Sequence, residues 1–236
     1  MLCNPFIRKF KILPPLKVPD QSSVEIFYIL VHDSFINNYK IIAVNHLSRK
    51  IEASVHILGT DHWRRIRNVP DPNLILESRL GTFVNDSVNW LVCAAVRSIV
   101  SLDLEKKESY KKFALPVFDD ITSFLTLGTL RGCLSLLFDK RDEFCDVWIM
   151  KEYGNEKSWT KLLIVPHMKE SHFYGYTKAL YISEDDKVLM ECMKMGISSL
   201  VVYDSINNNF KIPKFQYKNE GEMTPDVYVE SLISPW

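Results

Sequence analysis

Apolar positions along the chain come in short runs cut by polar turns. Ile26–Leu30, Tyr39–Val44, Ser54–Leu58 and Trp63–Ile66 are apolar or alternate over strand-length stretches, the pattern of a chain that buries sheet faces. Thr82–Val84 turns at Asn85-Asp86 into Val88–Cys93, Leu125–Leu130 turns at Arg131-Gly132 into Cys133–Phe138, and Ala179–Ile182 turns through Glu184-Asp185-Asp186 into Lys187–Glu191. A second hairpin follows each: Ile99–Leu104 before Glu105-Lys106-Lys107-Glu108, Asp146–Met150 before Tyr153-Gly154-Asn155-Glu156, and Leu200–Tyr203 before Asp204–Asn209. Two hairpins give four antiparallel strands per unit. Val188–Met195 also fits helical spacing, but the repeat assigns its first part to a strand. Asp119–Leu127 shares that ambiguity, with room for a helical turn.

An aromatic followed by a proline closes every unit: Phe10 with Pro14, Trp63 with Pro70, Tyr110 with Pro116, Trp159 with Pro166, Phe210 with Pro213. The aromatics are 53, 47, 49 and 51 residues apart, and a period near fifty is that of kelch-type propellers. Four strands cannot cover both of their own faces, so units must stack, and radial stacking protects the edges. The expectation is an all-β, β-propeller-like domain over residues 1–236, of about four complete blades and a partial one. Met1–Pro15 supplies only the end of a blade, and Val227–Ile233 reads as a closing strand that partly fills the gap.

The 236 residues carry 29 Lys and Arg against 29 Asp and Glu, so no net field draws the chain to nucleic acid or an anionic membrane. Cysteines 3, 93, 133, 145 and 192 are odd in number and scattered, which fits a reducing compartment. With no apolar leader and no run of membrane-spanning length, the expectation is a soluble cytoplasmic or nuclear protein. Asn85-Asp86-Ser87 matches a glycosylation acceptor, but Asn-Asp is also what a tight turn selects.

Catalytic motifs fail. There is no nucleophile elbow, dinucleotide fingerprint, P-loop or zincin motif, and no cofactor or metal is expected. The six histidines fall singly apart from His167 and His172, which lack neighbouring ligands for zinc. Asp61-His62 and Glu184-Asp185-Asp186 sit in hairpin-turn slots and read as solvated turns. Arg64-Arg65 and Lys111-Lys112 follow the repeat aromatic and read as exposed outer-strand positions. Trp63, Tyr110, Trp159 and Phe210 are equivalent by repeat and read as packing residues, as do Trp90 and Trp148 within strands.

One cluster does not repeat: His172, Phe173, Tyr174 and Tyr176, between Pro166 and Ala179. Blade connectivity places it on one face with Asp139–Phe144 and Ala94–Arg97. Aromatics beside Arg141 and Lys169 have the composition of a protein-binding patch. His172, Phe173, Tyr174, Tyr176 and Arg141 are the candidate partner-binding residues. A loop that merely packs down is the competing reading.

The residues also resemble a family. Asn4-Pro5 with Ile7-Arg8-Lys9 and Pro14-Pro15, Asn38-Tyr39-Lys40, Val84-Asn85 with Asn89-Trp90-Leu91, Leu102-Asp103-Leu104, Leu130-Arg131-Gly132-Cys133-Leu134 and Tyr228-Val229-Glu230-Ser231-Leu232 carry the likeness. The most specific block is Asp146-Val147-Trp148-Ile149-Met150-Lys151-Glu152-Tyr153-Gly154 with Ser158-Trp159-Thr160-Lys161. Together they resemble the F-box-associated, kelch-like (type 1/type 3) interaction domain of plant F-box proteins. The resemblance implies a non-catalytic substrate-recognition part of a cullin-based ubiquitin ligase, binding target proteins for ubiquitination. A Skp-type adaptor and cullin are partners only where an F-box is present, and no F-box helices precede Asn4. A truncated stand-alone binder or a non-functional fragment is the alternative, a propeller enzyme a more distant one. Cys3, Ile26–Leu30 and Asp86 depart from the family pattern of a tryptophan, a glycine-rich turn and a glycine.

Overall fold

The computed structural model describes residues 1–4, 7–17, 25–33, 35–47, 50–66, 74–77, 81–104, 109–117, 124–140, 143–169, 173–194, 197–213, 225 and 227. They form strands and turns, with a single short 3-10 turn at Glu156–Ser158 among the described residues. The short pair β1 (Leu2–Asn4) and β2 (Lys9–Lys11) comes first, antiparallel, and is the partial blade read from Met1–Pro15. A four-stranded sheet follows in the order β3 (Glu25–Asp33), β4 (Asn38–Leu47), β5 (Lys50–Ile57), β6 (Arg64–Ile66).

The next sheet contains β7 (Ile75–Leu76), β8 (Thr82–Val84), β9 (Ser87–Cys93), β10 (Arg97–Asp103) and β11 (Ser109–Ala114). β7 and β8 both pair with β9, at opposite ends of it, so together they occupy the first-strand position of a blade. The last two sheets run β12 (Phe124–Leu130), β13 (Cys133–Lys140), β14 (Phe144–Met150), β15 (Trp159–Pro166), then β16 (Phe173–Ile182), β17 (Lys187–Lys194), β18 (Ile197–Asp204), β19 (Asn209–Lys211). Among the described residues every pairing is antiparallel and, β7 with β9 apart, joins strands adjacent in sequence, as hairpin meanders demand. The helical alternative for Val188–Met195 is excluded over its described part, which is β17. Of Asp119–Leu127, residues 124–127 are strand and 119–123 lie outside the described residues, as does nearly all of Val227–Ile233.

The chain divides into two compact units, Met1–Phe113 with Tyr228–Trp236, and Ala114–Val227. Each unit stacks two sheets. In the first, Val31, Ile42, Val44 and Val55 meet Trp90, Val92, Val100 and Leu102. In the second, Leu137, Val147 and Val165 meet Tyr176, Met190, Cys192 and Val201, with β12 alongside β16. Each such aliphatic side chain, fully buried, contributes roughly 1.5–3 kcal/mol. Middle strands β9, β10 and β13 are buried almost end to end, whereas outer strand β11 exposes Lys111 and Lys112 and β6 exposes Arg64 and Arg65.

The repeat aromatics lie in the outer strands or immediately before them. Trp63 precedes β6 and donates its indole N–H to Pro14 O at 2.8 Å, so the partial first repeat is tied to the next. Tyr110 packs on the core of the first unit, and Phe210 on that of the second, 4.9 Å from the Tyr203 ring. In the block Asp146 to Lys161, the Lys161 ammonium bridges to Asp146 Oδ2 at 2.6 Å and lies over the Trp148 ring at 5.3 Å.

One turn occurs twice. Val31-His32-Asp33-Ser34-Phe35-Ile36-Asn37-Asn38-Tyr39-Lys40-Ile41 matches Val202-Tyr203-Asp204-Ser205-Ile206-Asn207-Asn208-Asn209-Phe210-Lys211-Ile212 at most positions. Asp33 Oδ1 accepts from the amides of Phe35 and Ile36 at 2.9 and 3.3 Å, and Asp204 Oδ1 from those of Ile206 and Asn207 at 3.1 and 3.0 Å. Asn37 and Asn208 both take the left-handed conformation at φ 47°, which asparagine tolerates. The same side-chain-stapled turn thus closes the first hairpin of one sheet and the last hairpin of another.

Candidate functional site

The unrepeated aromatic segment lies at one end of the second unit. From Phe173 onward it is strand rather than loop, because β16 begins there and pairs with β17. The rows Lys140, Phe144, Pro166 and Phe173, Lys194, Ile197 mark this end of the two sheets. Asp139, the residue before Lys140, joins them. Its side chain is 3% exposed, its Oδ1 lies 2.7 Å from His167 Nε2, and its Oδ2 accepts the Tyr176 amide N–H at 2.5 Å. A hydrogen bond from His167 N to Glu143 O, 3.5 Å, draws the β13–β14 connection to the segment after β15. Within this unit Asp139 and Glu143 therefore meet His167 and Tyr176, while residues 141–142 and 170–172 lie outside the described ones.

The candidate residues separate by burial. Tyr174 is 63% exposed and Phe173 is half-buried. Tyr176 is 1% exposed, with its hydroxyl donating to Pro166 O at 2.9 Å. Burial pushes that hydroxyl's pKa well up, with Cys145, Cys192 and Asp139 nearby adding to the effect. Tyr176 is a core residue whose ring meets His167 and Phe173 edge-on, and this is what the segment contributes to packing. Arg141 and His172 lie outside the described residues. Phe124 (48% exposed) and Ile197 (62%) stand at the same end, and Lys140 pairs with Glu143 and lies over the Phe144 ring at 5.6 Å.

Two residues of this end, Phe124 and Ile197, escaped the sequence reading, and Asp139 was placed there only as the start of the Asp139–Phe144 stretch: at the end of an apolar run its carboxylate reads as solvated. Phe124 and Ile197 begin strands next to polar segments. Gly175 did carry a signal, since a glycine inside a strand marks a bulge or a close backbone approach.

The remaining candidates are turns. Asp61 and His62 are both exposed, 2.9 Å apart, ahead of β6. Asp186 in the β16–β17 turn is gripped by Arg131 at 2.6 Å, and Asp185 pairs with Lys187. Asn85 and Asp86 form the β8–β9 turn, with Ser87 buried behind them. Among the described residues no group of three or more His, Cys, Asp and Glu is placed to hold a metal, and no helix is long and apolar enough to cross a membrane.

Antiparallel blades of hairpin meanders, each with an aromatic at or near the start of its outer strand, define a propeller-type repeat protein. The chain belongs to the F-box associated beta propeller domain family, whose sequence profile matches residues 1–235. It is 30% identical to the F-box/kelch-repeat protein At3g23880 of Arabidopsis thaliana, over 93% of this chain and 59% of that one. It is 28% identical to the F-box protein CPR1 of the same plant, over 85% and 55%. The F-box protein At4g22390, also of Arabidopsis thaliana, is 24% identical over 98% and 63%. The chain thus spans a little over half the length of these relatives. A crystal structure of TolB from Acinetobacter baumannii covers 73% of this chain and 40% of that one, at 16% identity and a TM-score of 0.44, too low to carry an argument.

Proposed function

We propose that this chain is a non-catalytic protein-recognition module that holds target proteins for ubiquitination, with the Phe173–Tyr174 end of the second unit as its contact. The supporting observation is the family match along nearly the whole chain, to relatives that are themselves F-box proteins. An exposed tyrosine, phenylalanine and isoleucine among lysines and a glutamate have the make-up of a recognition surface. In this reading Arg141 and His172 contribute to binding, the protein works in the cytoplasm or nucleus, and a Skp-type adaptor with its cullin joins only through an F-box.

The test is reconstitution. The chain joined behind an F-box is expected to enter a complex with purified Skp-type adaptor and cullin and to direct ubiquitin onto a bound protein. A complex that assembles but modifies none of the proteins the chain holds would leave a stand-alone binder, and failure to assemble would remove the ligase role. The chain without an F-box is expected not to bind the adaptor.

A further inference from the structure

Tyr174 is exposed because its neighbours are fixed. Opposite β17, Phe173 faces Lys194 and Gly175 faces Met193, so Tyr174 is an extra residue, a bulge. Bulges re-aim side chains next to functional sites. Gly175 adopts φ +127°, a conformation that side-chain-bearing residues rarely take, and a Cβ there would lie 2.6 Å from Asp139 Oδ2. The same oxygen binds the Tyr176 amide, while the other holds His167. His167 in turn meets Phe173 at 5.2 Å and Tyr176 at 5.6 Å, both edge-on. Around Tyr174, Gly175 thus packs against one buried carboxylate, Tyr176 is bonded to it, and Phe173 is linked to it through His167.

A buried carboxylate, a left-handed glycine and a bulge each cost stability, and such features collect where a fold serves a site. We infer that Asp139 is a positioning residue: with Gly175 it forms a clasp that holds Tyr174 out of the sheet as the specificity-determining contact of the recognition end. The inference rests on the recognition reading above. It differs from that reading in assigning the contact to a single side chain and its presentation to two residues that touch no partner.

The experiment selects linear peptides from a displayed library on the whole chain, then measures their affinities by fluorescence anisotropy. Tyr174→Ala is expected to melt with the native chain and to weaken a set of peptides by about tenfold or more. Asp139→Asn, still folded, should weaken the same set comparably. In the Tyr174→Ala background Asp139→Asn should then change affinity no further, because both act through one contact. A merely structural clasp would weaken binding equally in both backgrounds, and that result overturns the inference. So does a set of peptides indifferent to Tyr174, which leaves the recognition reading standing, whereas a chain that retains no peptide at all counts against both. If Asp139→Asn does not fold, Gly175→Ala presses on the carboxylate from the other side and carries the same comparison.

Discussion

Lys40 is a buried ammonium, held by Asp33 Oδ2 at 2.5 Å and by Leu104 O at 3.2 Å. Burial draws the Asp33 carboxyl upward, but Lys40 and the amides of Ile36 and Phe35 outweigh it and leave its pKa below the ordinary 3.8. A carboxyl depressed in the native state lends stability in full above its ordinary value, and loses it as pH falls through the native one. Asp33→Asn strands the ammonium and is expected to cost about 3 kcal/mol at pH 7. Thermal melts of the two proteins should converge as pH falls through the lowered native pKa of Asp33, because the carboxyl then becomes neutral in the folded state as well. Asp86 is the converse case. With Asn85 at φ 51° and Asp86 at 53°, the β8–β9 turn has the geometry that favours Asn-Gly. Asp86→Gly should gain about 0.5 kcal/mol and raise Tm by about 1–2 °C.

Between elements, Gly81 lies where side chains from both sheets of the first unit crowd its α-carbon. A Cβ there would lie 2.5 Å from Val88 Cγ1, 2.7 Å from Ile29 Cδ1 and 2.8 Å from Trp90 Nε1. Gly81→Ala is expected to destabilise by about 1–3 kcal/mol in denaturant unfolding, by overpacking. The hairpins were legible in the sequence because apolar runs and turn residues agree there: Arg131-Gly132 and Asn85-Asp86 sit at the tips they were assigned. β16 was legible only from Ala179. Its register shifts near Phe173, Tyr176 and Ala179 break the alternation that marks a strand, so Tyr176 looked like a loop aromatic rather than a core one. β7 was missed because two residues make no pattern. The candidate site was half legible: composition located the segment, but only the fold separates exposed Tyr174 from buried Tyr176, and Asp139 has no local mark at all.

At the scale of the molecule, the cysteines report on the units. Cys3 is exposed, Cys93 and Cys133 are partly covered, and Cys145 and Cys192 are buried in the one core of the second unit. Burial, with Asp139 and Asp146 nearby, pushes the Cys145 thiol's pKa well up, away from the reactive thiolate. Alkylation followed by mass spectrometry should label Cys3 first. Cys145 and Cys192 should label together, on unfolding, since they belong to one cluster. Separate labelling of the two would show that this core does not open as a unit.

The outer strands differ in one respect with a practical side. β6 and β19 have three residues each, but β15 has eight, and it lies last in its sheet. A long terminal strand is a template for other chains. Lys161 puts a charge on it, and the register shift between Val147 and Trp148 kinks its pairing with β14. The stretch from Asp146 to Lys161 is therefore expected to guard this edge: concentrated solutions should stay clear while Lys161 is charged, and Lys161→Val should turn turbid at lower concentration.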